Sequence, residues 1–216
     1  MKKSSVILFV VMASLTSCAI NKEKEMAKES AASVFQPKPL DDEWSKWIVG
    51  EWEGSAESDI GEFKNWVKAK VHTKIELSLN GQFLIKKSKA EITHMSPEYI
   101  QHLKETMHAS DEDIEKIKSS TFKELQVHTI DLETGEVIGY LFDSLRCIAK
   151  GRGRREGNKE TMEWEWSGTG QGASSIRITE KVSDNKIIVT EKYTLPDGSI
   201  MEDKGEMTRV KETAEK

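Results

Sequence analysis

The chain has 216 residues, of which 32% are charged, and its formal net charge at pH 7 is −5. A negative balance argues against nucleic acid as a partner, because nucleic-acid binding needs a basic surface. The only cysteines are Cys18 and Cys147, so a disulfide-rich fold is excluded and stability must come from a packed core.

The first residues have the composition of an export signal. Lys2 and Lys3 precede an apolar segment, 6–15, that is too short to cross a bilayer. The segment ends in Leu15-Thr16-Ser17-Cys18, which resembles the signal of bacterial lipoproteins. The resemblance implies cleavage after residue 17 and lipid attachment to Cys18. The alternatives are an ordinary secretory peptide with a chance cysteine, or a buried N-terminal helix.

Lipidation of Cys18 would make the membrane a partner of this chain, because several acyl chains together bind a bilayer firmly. Ala19 stands where an aspartate would favour inner-membrane retention. We therefore expect a bacterial cell-envelope protein, on either face of the outer membrane rather than at the inner membrane. Loss of Lys2 and Lys3 would change the formal charge from −5 to −7. Residues 18–40 are polar and close with two prolines, which predicts a flexible tether.

The folded domain is predicted to start with a short helical turn. Trp44, Trp47 and Ile48 share one helical face, behind acidic residues that favour a helix start. Such a turn could close one end of a barrel. Gly50-Glu51-Trp52 then opens the first strand.

The next segments predict a strand hairpin and a helical insert. Apolar and polar residues alternate from Val67 to Leu77, which is typical of a strand with one buried face. Asn80-Gly81 predicts a tight hairpin turn. Ser96 before Pro97 and a capping-box pattern at 110–113 mark two helix starts, so a helical hairpin is expected at about 96–119.

Strand patterns separated by turn signals resume at Thr121 and continue to Val210, which brings the total to about ten strands. A meander of that length either closes or leaves two exposed edges. The sequence therefore predicts an all-β, up-and-down antiparallel barrel over residues 41–211, interrupted by the helical insert and followed by a tail at 212–216. An open sandwich is the alternative.

Three residues carry a family resemblance. Gly50, Trp52 and Arg209 resemble the signature of the lipocalin and wider calycin barrels. The resemblance implies that the tryptophan lies at the closed end and that the arginine packs across it, so that the first and last strands meet.

The rest of the domain is similar to a bacterial family of lipocalin-like barrels of unknown function. Four segments carry this likeness: Val49–Gly54, Asp131–Gly135, Phe142–Ser144 and Met207–Arg209. The match covers roughly 44–211, apart from the helical insert. It implies a fold and no activity.

No motif for catalysis, metal or cofactor stands out. A haem-carrying relative of this barrel type uses a histidine near its C-terminus, whereas the last histidine here is His128. His94, His102 and His108 are not spaced to share a helix face as metal ligands. Cys147 has apolar strand neighbours, which favours an inert buried thiol over a reactive one. Ser174-Ser175 lacks the glycine pattern of a nucleophile elbow. We expect no cofactor and no enzyme.

Candidate cavity residues follow from strand alternation. In the basic run 150–155, alternation places Gly151 and Gly153 on the inner face and the side chains of Lys150, Arg152 and Arg154 on the outer face. The glycines leave interior room or let the strand bend. The aromatic residues predicted to face inward are Tyr140, Phe142, Trp164, Trp166 and Tyr193. These side chains either line a ligand cavity or simply fill the core.

Two hypotheses follow for the function. In the first, the barrel is a membrane-anchored, non-enzymatic module that binds a small hydrophobic ligand, with the helical insert as a lid or docking surface. In the second, a solid barrel serves as an envelope scaffold or protein-interaction subunit whose partner the sequence does not identify. A third, an enzyme acting on lipid or sugar, has only scattered carboxylates behind it. The interior volume separates the first two hypotheses.

Overall fold

The computed structural model of the chain describes residues 37–60 and 63–211. The expected signal peptide, Cys18, most of the tether and the C-terminal tail lie outside these residues. Within the described part, no helix is both long enough and apolar enough to cross a membrane.

Ten antiparallel strands form a closed barrel in the order β1-β10-β9-β8-β7-β6-β5-β4-β3-β2. The strands are β1 (Gly50–Ile60), β2 (Phe63–Ser78), β3 (Phe83–Met95), β4 (Thr121–Ile130), β5 (Val137–Asp143), β6 (Cys147–Glu156), β7 (Lys159–Gly168), β8 (Ser174–Ser183), β9 (Lys186–Thr194) and β10 (Ile200–Arg209). Each strand pairs with its sequence neighbour, and β1 pairs with β10, so the sheet has no open edge. The predicted up-and-down barrel is confirmed, and the open-sandwich alternative is wrong.

The barrel closes where Trp52 of β1 stands opposite Arg209 of β10. The guanidinium carbon of Arg209 lies 4.3 Å from the centre of the Trp52 ring. The guanidinium also donates hydrogen bonds to the carbonyls of Trp47 and Val49. Gly50 has a φ of +135°, and a Cβ there would lie 2.5 Å from the Arg209 Nη1 atom. The positive φ favours glycine here, and the absence of a side chain leaves room for the guanidinium, which accounts for the glycine of the Gly-x-Trp pattern.

A short helix, α1 (Glu43–Ile48), plugs the end of the barrel next to this closure. The Asp42 side chain caps α1 by accepting a hydrogen bond from the Ser45 amide at 2.9 Å. Trp44 and Ile48 are buried against a cluster from the strands, which comprises Trp52, Ile75, Leu84, Ile187 and Met207. We call this end of the barrel the floor.

The helical insert is confirmed as two helices, α2 (Pro97–Thr106) and α3 (Asp111–Ser119). Ser96 caps α2 with proline at its start, and Ser110 and Asp113 form the predicted capping box of α3. Leu103 of α2 and Ile114 of α3 are buried against Met95, together with partly buried Val67 and Ile92. The insert therefore packs beside β2 and β3, at the end away from the floor.

The connection after β2 is longer than the tight turn that Asn80-Gly81 predicts. Residues 79–82 separate the two strands, and Leu79, Asn80 and Gly81 all have positive φ angles, of 49°, 58° and 79°. The dipeptide marks the turn correctly, but its neighbour Leu79 also enters the left-handed region.

The two sides of the barrel interior are filled differently. On the inner faces of β5, β6 and β7, Trp164 packs with a cluster made of Val137, Leu141, Ala149 and Met162. A Cβ on Gly151 would lie 2.5 Å from the Trp164 ring, and one on Gly139 would lie 2.7 Å from it. These glycines make room for the indole, so this side is solid. The opposite side of the barrel interior contains a cavity.

Candidate ligand-binding cavity

A cavity of about 350 Å³ runs through the other side of the barrel. Its walls are the inner faces of β1 to β4 and β8 to β10, and Ile48 of α1 lies at its bottom. The space exists because the side chains on these inner faces are small: Ala56, Ala69, Ser88, Ala90 and Gly205. The remaining wall combines branched aliphatic side chains with polar and charged ones. The cavity is partly open to solvent and reaches the level of Val67 and Ile92, beside the insert.

A buried network of charges crosses the interior near the floor. Lys86 Nζ and Arg155 Nε each donate to a different oxygen of Glu160, both at 2.9 Å. Arg155 also donates to Asp42 Oδ1 at 2.8 Å, which ties the network to α1. Burial alone would raise the pKa of Glu160, but the positive charges of Lys86 and Arg155 hold that pKa well below its usual value. Glu160 is therefore ionised and paired.

A second network lies farther from the floor and is centred on Arg177. Its Nε donates to Glu191 Oε2 at 2.6 Å, and its two terminal nitrogens donate to the two oxygens of Glu124 at 3.2 Å. Ser175 donates to the other oxygen of Glu191 at 2.7 Å. Burial acts to lower the pKa of Arg177, but Glu124 and Glu191 raise it well above its usual value. The arginine stays charged.

Asp203 lies on β10 between two neighbouring strands. It is opposite Glu191 on β9 and opposite Ser58 on β1. It lines the cavity, and its Oδ1 is buried without a hydrogen-bond partner among the described residues. Burial raises the pKa of Asp203 to about 6, although the neighbouring hydroxyls of Ser58 and Tyr193 act in the opposite direction. The charge of this cavity-lining carboxyl therefore changes near neutral pH.

The predicted cavity residues are divided by the structure. Tyr193 lines the cavity. Tyr140 and Phe142 do not, because Gly139 and Leu141 take the inward positions of β5. The two aromatic side chains lie on the outer face, 44% and 41% exposed. Both faces of β5 carry apolar residues, so alternation alone did not identify the inner one.

The other predicted residues face inward but belong to the solid side. Gly151 and Gly153 adjoin Trp164 and Met162, which fill the space that the glycines leave. Trp164 is buried in that cluster and does not contact the cavity. Trp166 packs at its margin and donates a hydrogen bond from its ring nitrogen to Ser175 Oγ at 3.0 Å. In the structure these four residues lie beside the cavity in the packed core, which corresponds to the core-filling alternative for the two tryptophans.

The reactive-group candidates have ordinary surroundings. The Cys147 thiol lies 2.9 Å from the Thr169 hydroxyl, and burial raises its pKa, so it is protonated at neutral pH. Lys150, Arg152 and Arg154 face outward, whereas Arg155 turns into the floor network. Among the described residues, no three His, Cys, Asp or Glu side chains could hold a metal ion together.

Sequence reasoning missed the residues that matter most in the cavity: Arg177, Glu191 and Asp203. A signal for them exists. Ile187 and Val189 are inward on β9, so Glu191 and Tyr193 must share that face. A charged residue at an inward position of a barrel strand has to find a partner inside.

Comparison with known proteins identifies no family. No protein-family model matches the sequence, and no curated protein does. Among solved structures, the chain is similar to the S-type phycobiliprotein lyase of Guillardia theta, with 9% identity over 82% of this chain and 96% of that one, at a TM-score of 0.54. It also matches a de novo designed fluorescence-activating β barrel, at 10% identity over 78% of this chain and 99% of that one, with a TM-score of 0.38.

A protein of unknown function from the DUF3598 family of Nostoc punctiforme matches at 8% identity over 79% of this chain and all of that one, with a TM-score of 0.23. At such identities these likenesses concern the fold alone. The lyase structure, at a TM-score of 0.54, agrees with a lipocalin-like barrel.

Proposed function

We propose that this chain is a membrane-anchored, non-enzymatic module that binds a small hydrophobic ligand in its barrel. The observation that carries the proposal is the cavity of about 350 Å³, whose accessible wall is mainly apolar and which several polar and charged side chains also line. That volume is within the usual range of small-molecule sites, roughly 300 to 1,000 Å³. A solid scaffold would lack such a space, so the cavity favours the binding module.

The insert has a place in this function. Val67 and Ile92 contact the helices and also line the cavity. A ligand that enters at this end would pass the insert. We assign α2 and α3 the role of a lid over the cavity.

A retention experiment tests ligand binding. The full chain is incubated with a cell-envelope lipid extract and re-isolated, and bound molecules are identified by mass spectrometry. We expect a retained amphiphile, and we expect Ala90→Trp to abolish retention, because Ala90 lines the cavity and an indole would fill it. Lys89→Trp is the matched control, since Lys89 is exposed on the outer face of the same strand. If the wild-type chain retains nothing, the proposal fails.

The anchor is a separate part of the proposal. It rests on the lipoprotein-like segment that ends at Cys18. Metabolic labelling with a palmitate analogue in a diderm bacterium is expected to label the wild-type chain and not Cys18→Ser. Fractionation of the same cells is expected to place the labelled chain in the outer membrane. Equal labelling of both chains would contradict lipidation at this residue.

A further inference from the structure

The charges around the cavity are not arranged for an anionic ligand. On the inner face, Asp203, Glu191 and Arg177 stand side by side on β10, β9 and β8, since Asp203 pairs with Glu191 and Glu191 pairs with Arg177. Glu124 reaches the same arginine from β4. Two carboxylates therefore bond one guanidinium, and a third carboxylate, Asp203, stands beyond Glu191 on the next strand.

The charge of Arg177 is already balanced by two carboxylates of the protein. A guanidinium recognises a carboxylate best through two parallel hydrogen bonds from its fork, and Glu124 already accepts both of these. The third direction, through Nε, is taken by Glu191. Lys86 is the other cationic side chain in the cavity wall, and its ammonium donates to Glu160. An anionic head group would find both cations committed and would meet additional negative charge.

Asp203 has the opposite character, because one of its two carboxylate oxygens has no donor, although the hydroxyls of Ser58 and Tyr193 lie near the carboxyl. Its Oδ1 is buried and has no hydrogen-bond partner among the described residues. A buried acceptor without a donor is costly, and a donor supplied by a ligand removes that cost. Ser58 and Val67 continue the wall from Asp203 across β1 and β2, and Ala56 and Ala69 follow toward the floor. A polar head at Asp203 therefore leaves the apolar body of a ligand in the cavity.

We propose, on the basis of the binding function above, that the ligand is a cationic amphiphile whose protonated amine is held by Asp203 with Glu191 beside it. An ammonium group carries three donors and no acceptor, which suits a site made of carboxylates and the Tyr193 hydroxyl. The aliphatic chain of the ligand occupies the space beside Ala69 and Ala90. Arg177 is a structural cation that holds Glu124 and Glu191 in place.

Three probes of equal chain length test the charge preference. The full chain is titrated by calorimetry with decylamine, decanol and decanoate at pH 7.5, below the concentrations at which the probes form micelles. We expect decylamine to bind about tenfold or more tightly than decanoate, with decanol between them, since a hydrogen bond between charged groups is stronger than one between neutral groups. Decanoate binding as tightly as decylamine would overturn the inference and leave the binding function standing. If none of the three binds, both fail.

A variant pair tests the residue. Asp203→Asn is expected to lower the affinity for decylamine about tenfold and to leave decanol within about twofold. Glu202→Gln changes the net charge equally but lies on the outer face of the same strand, paired with Lys192, and is expected to leave both affinities unchanged. Loss of decylamine affinity in both variants alike would show a non-specific charge effect and would contradict the assignment of Asp203.

The pH dependence provides an independent readout. The groups that face Asp203 are Glu191, Tyr193, Arg177 and Glu124. The pKa of Tyr193 and that of Arg177 are raised well above their usual values, and that of Glu124 is lowered. Decylamine affinity of the wild-type chain should therefore rise between pH 5 and pH 7 as Asp203 ionises, and the rise should be absent in Asp203→Asn. A flat wild-type profile would contradict the proposal.

Discussion

At the scale of single residues, the closure of the barrel depends on one arginine that holds three parts of the chain. Arg209 lies in the last strand, covers the Trp52 ring of the first strand, and bonds the carbonyls of Trp47 and Val49 at the end of α1. The indole nitrogen of Trp52 in turn donates to the Ile48 carbonyl at 2.9 Å. The helix plug and the strand closure are thus one unit.

Replacing Arg209 by alanine should destabilise the domain. The change removes a cation–π contact, worth about 0.5 to 2 kcal/mol, and leaves two carbonyls without their donor. We expect the free energy of unfolding, measured with urea, to fall by about 2 to 4 kcal/mol. Arg209→Lys should recover only part of this loss, because an ammonium lacks the guanidinium fork.

The matched control is Arg154→Ala. Arg154 lies in a strand and forms an ion pair with Glu156, but its side chain is 73% exposed. An exposed pair contributes little, so the free energy of unfolding should change by less than about 1 kcal/mol. Similar losses in Arg154→Ala and Arg209→Ala would show that Arg209 has no special role in closure.

At the scale of elements, the insert is joined to the barrel by a small apolar cluster of its own. Leu103 and Ile114 are buried against Met95, while most of the outward side chains of α2 and α3 are exposed. This cluster is separate from the floor cluster around Trp52 and from the solid side around Trp164. We therefore expect the insert to open without unfolding the barrel.

Leu103→Ala should reveal that independence. Truncating a buried leucine costs about 2 to 5 kcal/mol, and here the cost falls on the packing of the insert. In hydrogen exchange, amides of α2 and α3 should exchange on the order of 30-fold faster or more, whereas amides of β5 to β9 should be unchanged. Gln101→Ala, an exposed change on the same helix, is the control. Uniformly faster exchange in all strands would mean that insert and barrel unfold as one.

The elements were largely predictable because their signals are local. Alternation at 67–77 marks a strand, and Ser110 with Asp113 marks a helix start, whatever lies across the barrel. The cavity was not predictable in the same way. It arises because Ala69 and Ala90 face an empty region while Gly139 and Gly151 face an indole, and alternation does not say which residues meet across an interior. The inward face of β5 was misjudged since both of its faces are apolar.

At the scale of the whole molecule, the barrel interior is unusually polar for a core. Removing one partner from a buried ion pair typically costs about 3 to 5 kcal/mol, because it leaves the other charge uncompensated. Glu124 and Glu160 both have pKa values lowered in the folded state by their cationic partners. Their contribution to stability is therefore lost as the pH falls. The contribution of Asp203 to stability changes with pH in the opposite direction, because its pKa is raised in the folded state.

The pKa of Asp203 is about 6 in the folded chain, against an ordinary value of 3.8. Protonation of Asp203 therefore favours folding. This stabilisation is complete below about pH 4 and is lost as the pH rises through 6. In the absence of ligand, Asp203→Asn should be more stable than the wild type at pH 8 by up to about 3 kcal/mol, since each pKa unit corresponds to about 1.4 kcal/mol. At pH 4 the two proteins should have the same free energy of unfolding.

Urea unfolding at a series of pH values between 4 and 8 measures this difference. The acid-dependent losses from Glu124 and Glu160 occur in both proteins and cancel in the comparison. Glu202→Gln, on the outer face, should show no such pH-dependent gain. A difference between wild type and Asp203→Asn that does not vary with pH would mean that Asp203 is ionised without cost. In that case the empty barrel would have no need of a donor at this position.

If Asp203→Asn is more stable than the wild type at neutral pH, the carboxylate that destabilises the empty barrel is the group that a cationic ligand would stabilise. Saturation with decylamine should then abolish the difference in the free energy of unfolding between the variant and the wild type.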